Sequence, residues 1–275
     1  MTDRIAEHYE QAGLLDRILD ALTREGLPIG RLTIDDLAPV DEFHSRGRRG
    51  TEELARMLAP LPSDSVIDIG SGIGGPARYL AATYGCRVSG VDLTPAFVAA
   101  ASGLTRLTGL ADRVDFRTGS ALDLPFPDAA FDRAWSQNVA MNIADRPRFY
   151  GEMRRVLKPG GRLAIQEVAQ GPGGDIILPV MWASRPDLSF VRTPEETKSL
   201  LAAAGFAVLE WEDKSATAVA EIAAERERLR AGGAVPALGI HLIVGPSAKE
   251  KMRNGQRNQE ERRTLLFNAL LERVG

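Results

Sequence analysis

One cysteine in 275 residues, Cys86, excludes an intramolecular disulfide and leaves no thiolate cluster for a metal. Histidine is nearly as scarce. His8, His44 and His241 stand far apart and none has a metal-ligand partner at helical spacing, so a metal site is not expected. No segment approaches the roughly 20 apolar residues that cross a bilayer, and the opening MTDRIAEHYE has no apolar core behind a basic start. The expectation is a cytoplasmic protein with no membrane partner. A surplus of one charge is also missing: 34 Lys plus Arg face 37 Asp plus Glu, net −3 with a pI near 5.8. Such a chain has no field to gather nucleic acid. There is no internal repeat or low-complexity tract. What remains is ordinary globular composition, 44% hydrophobic and 26% charged, in a chain long enough for a substantial core. A small-molecule partner is expected, and monomer and homo-oligomer stay equally open. Cys86, within TYGCRVSGV, is expected to be a buried small residue opening a strand.

From 64 to 167 short apolar runs alternate with helical patterns, the signature of an α/β fold with a doubly wound, mostly parallel sheet. Strands are predicted at 65–69, 87–92, 114–118, 131–136 and 161–168, with helices near 75–84, 95–109 and 146–157. LKPGG is expected to end the last helix and turn the chain into the next strand. A further helix at 194–204 precedes a sixth strand at 206–213. Residues 1–60 look helical except for a loop around 39–50, and 216–262 look helical with a break at 232–239. TLLFNALLERV, 264–274, reads as a closing strand or a helix end, and the nearly uninterrupted apolar run favours the strand. The expected organisation is therefore an N-terminal helical lid at 1–60, a cofactor-binding core at 61–215, a helical insertion over the acceptor site at 216–262 and a closing strand at 263–275.

The stretch VIDIGSGIGG, 66–75, carries two patterns at once. Gly70, Gly72 and Gly74 spell GxGxG, and Gly70, Gly72 and Gly75 spell the GxGxxG of dinucleotide sites. Glycines directly after a strand let the backbone approach a ligand that any Cβ would block. Asp68, two residues before Gly70, separates the cofactors. Its carboxylate would repel a pyrophosphate, whereas S-adenosyl-L-methionine has no phosphate and carries an ammonium that a carboxylate attracts. Asp92, at the end of the second strand, suits both ribose hydroxyls in either cofactor. After the third strand, Ser120 and Ala121 are placed to border an adenine and Leu122 to pack on it. The fourth strand delivers WSQNVAMNI at the ligand edge, with Gln137 or Asn138 as a site residue and Trp135 as core.

With these segments in order, the sequence resembles the class I S-adenosylmethionine-dependent methyltransferases. The likeness rests on VIDIGSGIGG, VDLTPAFVAAA, LPFPDAAFD and VLKPGGRLAI, which together span about 64–168. The flanks LTIDDLAPVDEFHSRGRRGTEELA and GIHLIVGPSAKEKMRNGQRNQEERR are similar to small-molecule methyltransferases of the sarcosine and dimethylglycine N-methyltransferase type and their natural-product relatives. That resemblance implies a seventh, antiparallel strand and cofactor binding by Asp68, Gly70, Gly72, Asp92 and Leu93, with Gln137 near the methionine end. Two positions depart from it: Ser120 stands where an acid commonly holds the adenine amino group, and Asn142 where a histidine is frequent.

The implied activity is methyl transfer by in-line displacement to a small acceptor, an amine such as a glycine derivative or else an oxygen or carbon of a secondary metabolite. A cofactor-binding protein without methyl transfer and an NAD(P)-dependent oxidoreductase are the alternatives, the latter lacking a Tyr and Lys pair. His44, Tyr9 and Asn142 are the catalytic candidates. His44 also suits a capping or packing role, and Tyr9, beside His8, suits a plain surface helix. Among Arg46, Arg48 and Arg49, one is a candidate clamp for an acceptor carboxylate, although RGRRG and ERERLR also read as solvated clusters. Met181 and Trp182 lie where an acceptor would be covered, and His241 reads as an interior histidine.

Overall fold

The computed structural model describes residues 13–233 and 237–275. The first described helix is α1, Leu14–Arg24, in which Leu14, Ile18, Ala21 and Leu22 fall on one face and are buried. Helix α2, Ile34–Asp41, starts at a capping box in which the Thr33 side chain and Asp36 satisfy each other's backbone donors. Helix α3, Gly47–Leu58, follows after a break of five residues, with Arg46 in left-handed backbone at φ 69. The loop expected around 39–50 is thus mostly helical. Pro39 sits inside α2, because the capping box and the burial of Leu37 and Val40 outweigh its cost.

The sheet contains β1, Ser65–Ile69; β2, Arg87–Asp92; β3, Val114–Thr118; β4, Phe131–Gln137; β5, Leu157–Gln170; β6, Phe206–Asp213; and β7, Thr264–Arg273. Their order is β3-β2-β1-β4-β5-β7-β6. The first five run parallel, and β7 lies antiparallel between β5 and β6, so 264–273 is a strand. Strand β5 begins earlier than the sequence predicts. Leu157 already pairs with Phe131, and 158–161 loop out before Arg162 pairs with Arg133. The crossovers are α4, Gly75–Tyr84; α5, Pro95–Leu107; α6, Arg146–Val156; and α7, Pro194–Ala203.

Alternation along the strands divides the core between the two faces. Val66, Val88 and Trp135 pack with Leu54, Leu58 and Leu80 of α3 and α4. Ile67 and Ile165 pack with Phe149 and Met153 of α6 and Leu201 of α7. Cys86 is fully buried just before β2, and burial pushes its thiol up to about 11.

Among the described residues three helices follow β6: α8, Ser215–Arg230; the single turn α9, His241–Val244; and α10, Ala248–Glu260. Leu238 and Ile243 join one apolar cluster with Leu14, Ile18, Leu37, Ile73 and Phe97, which fastens this region to α1, α2, the glycine turn and α5. His241 itself is exposed on the short turn α9, not interior, because Ile243 is the residue that faces the cluster. No described helix is long and apolar enough to cross a membrane.

Candidate active site

A cavity of about 260 Å³ opens at the carboxyl ends of β1, β2 and β4, where the order of the sheet reverses. Gly70, Gly72, Asp68, Asp92, Leu93, Ser120, Ala121, Leu122, Gln137, Asn142 and His44 all line it. The glycine turn is built for close approach. Gly70 has φ 77, and a Cβ there would lie 2.3 Å from Val139 Cγ2. Gly72, at φ 53, has no protein atom within 4 Å of an added Cβ, so a side chain would project into the cavity.

Asp92 is fixed by the turn it faces. One oxygen accepts the Gly72 N–H at 2.9 Å and the other the Thr94 N–H at 2.9 Å. Burial raises its carboxyl. Asp68 is 2% exposed, and its Oδ2 meets no donor. Burial, then the charges of Asp92 and Glu42, push its carboxyl up to about 8. A buried oxygen without a donor costs free energy that a cationic ligand would return.

His44 enters the wall from the segment between α2 and α3. Its Nε2 is 2.8 Å from Glu42 Oε2 and its Nδ1 is 3.1 Å from the Ser45 carbonyl. A bond to that carbonyl needs a proton on Nδ1, and one to the carboxylate needs a proton on Nε2. Nε2 also lies 3.0 Å from Thr51 Oγ1, so both ring nitrogens of this catalytic candidate are already within hydrogen-bond distance of protein groups. Burial pushes the Glu42 carboxyl up, but His44, Thr51 and Arg48 outweigh it and hold the group below the usual carboxylate range. Gln137 is anchored beside this pair, accepting from Trp135 Nε1 at 3.0 Å and from Thr51 Oγ1 at 3.3 Å. Trp135 is fully buried core, as expected, and also borders the cavity.

Several candidates lie elsewhere. Gly74 does not line the cavity; a Cβ there would lie 2.5 Å from Phe116 and 2.9 Å from Arg78, so glycine is required by packing. Arg46 is held by Glu53 and Glu221, Arg48 by Glu42 and the Ile34 carbonyl, and the exposed Arg49 lies 3.8 Å from Glu221. None reaches the cavity, and only Arg49 is solvated. Trp182 donates to Ser189 Oγ at 2.9 Å and packs with Val168 and Leu188, while Met181 packs at the edge of that cluster. No described residue beyond Asp145 lines the cavity, so the described part of 170–260 does not form its wall. Tyr9 and His8 lie outside the described residues.

Sequence reasoning missed Asp41, Phe43 and Asp145 in the wall. Asp41 and Phe43 flank Glu42 in the same DEFH stretch as His44, which was the available signal. Asp145 caps α6 by accepting the Arg148 N–H, and nothing local marks it as a cavity residue.

The loop pattern alone fits two cofactors, and the buried Asp68, whose Oδ2 meets no donor, suits an ammonium better than a pyrophosphate. With the seven-stranded order around it, the protein is a class I S-adenosylmethionine-dependent methyltransferase acting on small molecules. The chain belongs to the methyltransferase family. A family profile described as Methyltransferase domain matches residues 67–165. The chain is 32% identical over 214 residues to Methyltransferase GfsG of Streptomyces halstedii, covering 77% of this chain and 75% of that one. It is 31% identical to the sarcosine/dimethylglycine N-methyltransferase of Halorhodospira halochloris over 69% of this chain and 67% of the relative. Among solved structures, the cyclase SpnF superposes with a TM-score of 0.71 at 26% identity, over 100% of this chain and 98% of that one.

Proposed function

We propose that the enzyme methylates the nitrogen of a small amine that carries no carboxylate. One observation carries this. Among the described lining residues there is no lysine or arginine, and of the four aspartates there Asp41 is paired with Arg78 and Asp68 and Asp92 face the cofactor, which leaves Asp145 for the acceptor. The exposed Asp145 favours an ammonium near it, and a wall without a cation has nothing to hold a phenolate. A glycine derivative would need the cation that Arg46, Arg48 and Arg49 do not provide.

In this proposal Asp68 holds the cofactor's ammonium, Asp92 accepts the ribose hydroxyls, and Ser120, Ala121 and Leu122 border the adenine. S-adenosylmethionine supplies a sulfonium-activated methyl group. The remaining task of the chain is to align the acceptor lone pair and exclude water, which is worth roughly 7–11 kcal/mol. With both His44 nitrogens already beside protein partners, the acceptor loses its proton to water before attack. An amine does so readily, and the rate at subsaturating acceptor is expected to rise with pH until the pKa of that amine is passed.

Labelled S-adenosylmethionine, offered with alkaloid-type amines, sarcosine, dimethylglycine and phenols, tests the proposal. Label is expected on the amines without a carboxylate; transfer only to phenols or to the glycine derivatives overturns it. The cofactor assignment has its own check. Asp92→Ala removes a charged acceptor and is expected to weaken S-adenosylhomocysteine by about tenfold to a hundredfold in calorimetric titration. Unchanged affinity in a folded variant would remove Asp92 from the ribose site.

A further inference from the structure

Strand β4 ends at Gln137, and the backbone donors that follow still need acceptors. Asn138, in left-handed backbone at φ 53, keeps a last ladder bond to the Gln166 carbonyl at 2.8 Å. For Val139 and Ala140, the Glu167 side chain takes over. Its carboxylate accepts both N–H groups, and its two oxygens lie 3.2 and 3.1 Å from the Ala140 nitrogen. Glu167 is 2% exposed and does not line the cavity, but the turn it holds does, through Val139 and Asn142. Val139 is the side chain that packs on Gly70.

We propose that Glu167 is a positioning residue for the cofactor cavity: its ionised carboxylate, gripping two backbone N–H groups, holds the turn that sets Val139 against Gly70 and Asn142 in the wall. An ionised carboxylate accepts at both oxygens, whereas the protonated form gives up part of that capacity. This holds whichever acceptor is methylated.

The charged form is finely balanced. Burial pushes the Glu167 carboxyl up to about 7, against the opposing pull of Arg146 and of the two N–H groups. Arg146 and Tyr150, both on α6, are the titratable groups that face it; the register neighbour on β7 is Phe267. Arg146 is itself held by the carbonyls of Ile143 and Phe190, at 3.1 Å each, and by the Tyr150 hydroxyl at 2.9 Å. A ligand that needs the ordered turn favours ionised Glu167, so its affinity rises with pH through about 7.

Asp68 gives the same direction for any ligand with an ammonium. The probe is therefore 5′-methylthioadenosine, which has no amino acid end. Wild type and Glu167→Gln are titrated with it from about pH 6 to about pH 8.5. Wild-type affinity is expected to rise about fivefold to tenfold across that range, and the variant to stay flat near the wild-type value at low pH. S-adenosylhomocysteine should keep a pH dependence in the variant, through Asp68. A flat wild-type profile, or a variant that retains the wild-type rise, overturns the proposal. If Glu167→Gln does not fold, amide exchange at Val139 and Ala140 in wild type replaces it. After correction for intrinsic rates, protection should fall as pH is lowered through about 7, and unchanged protection overturns the proposal.

Discussion

Asp68→Ala is expected to lower the affinity for S-adenosylhomocysteine by about a hundredfold or more, the largest loss of any single change in the cavity. The carboxylate is buried, its Oδ2 has no donor, and a bound ammonium would be paired in low dielectric with no water to replace the lost partner. Its pH behaviour gives a second, sharper check. With the carboxyl raised from 3.8 to about 8, the ligand-free fold holds a proton that the ammonium must displace. Wild-type affinity should therefore climb as pH rises toward about 8, and Asp68→Asn should remove that part of the climb. The sign for stability is opposite. Because the folded state binds the proton more tightly than the unfolded chain, stability without ligand falls as pH rises between 3.8 and about 8. Asp68→Asn escapes this cost, so at about pH 8 it should melt above wild type without ligand and gain little from S-adenosylhomocysteine. A variant that melts lower and still binds would assign Asp68 a bracing role only.

The largest stability loss is expected at Arg78. This guanidinium, fully buried in α4, donates to Asp41 at 2.8 Å, to the Ile73 carbonyl at 2.8 Å, and to the Ala101 carbonyl and Thr105 of α5. It ties α2, the glycine turn and α5 together. Arg78→Met leaves the Asp41 carboxylate buried and unpaired, which costs about 3–5 kcal/mol. For a chain of this size that is a fall of roughly ten degrees in Tm and a large share of the usual margin. Adding Asp41→Leu should recover part of the loss, since the removal of both charges leaves nothing to compensate. Losses that simply add would mean that the two residues act independently.

How far the sequence foretold this site depends on how local each signal is. The strands, the glycine turn and the acids Asp68 and Asp92 were legible because alternation, run length and short spacings determine them. Arg78 was not. In GPARYLAATY it reads as a surface cation, and its partner Asp41 lies 37 positions away. Arg46 was misjudged in the same way, since it meets Glu221 across 175 positions. The helix through Pro39 was hidden behind residues that read as breakers, although the Thr33 and Asp36 capping box was in plain view. His44 was named as a site candidate, but the partners of its two nitrogens were hidden, because they depend on the path of the segment that carries it.

The place of β7 has a consequence for how the chain reaches this state. It is the last of the seven strands to leave the ribosome, yet it lies between β5 and β6. Until it arrives, β6 has no neighbour, and the edge of β5 that carries Ile165 and Val168 stays unpaired. Asp68 and Asp92 belong to β1 and β2, which pair as soon as they are made, and the glycine turn follows β1 directly. Half of the enzyme can thus assemble during synthesis while the other half waits with an open, apolar strand edge, a state in which misassembly competes with completion. Growth temperature and expression rate should decide the yield of folded protein more strongly than its final stability does.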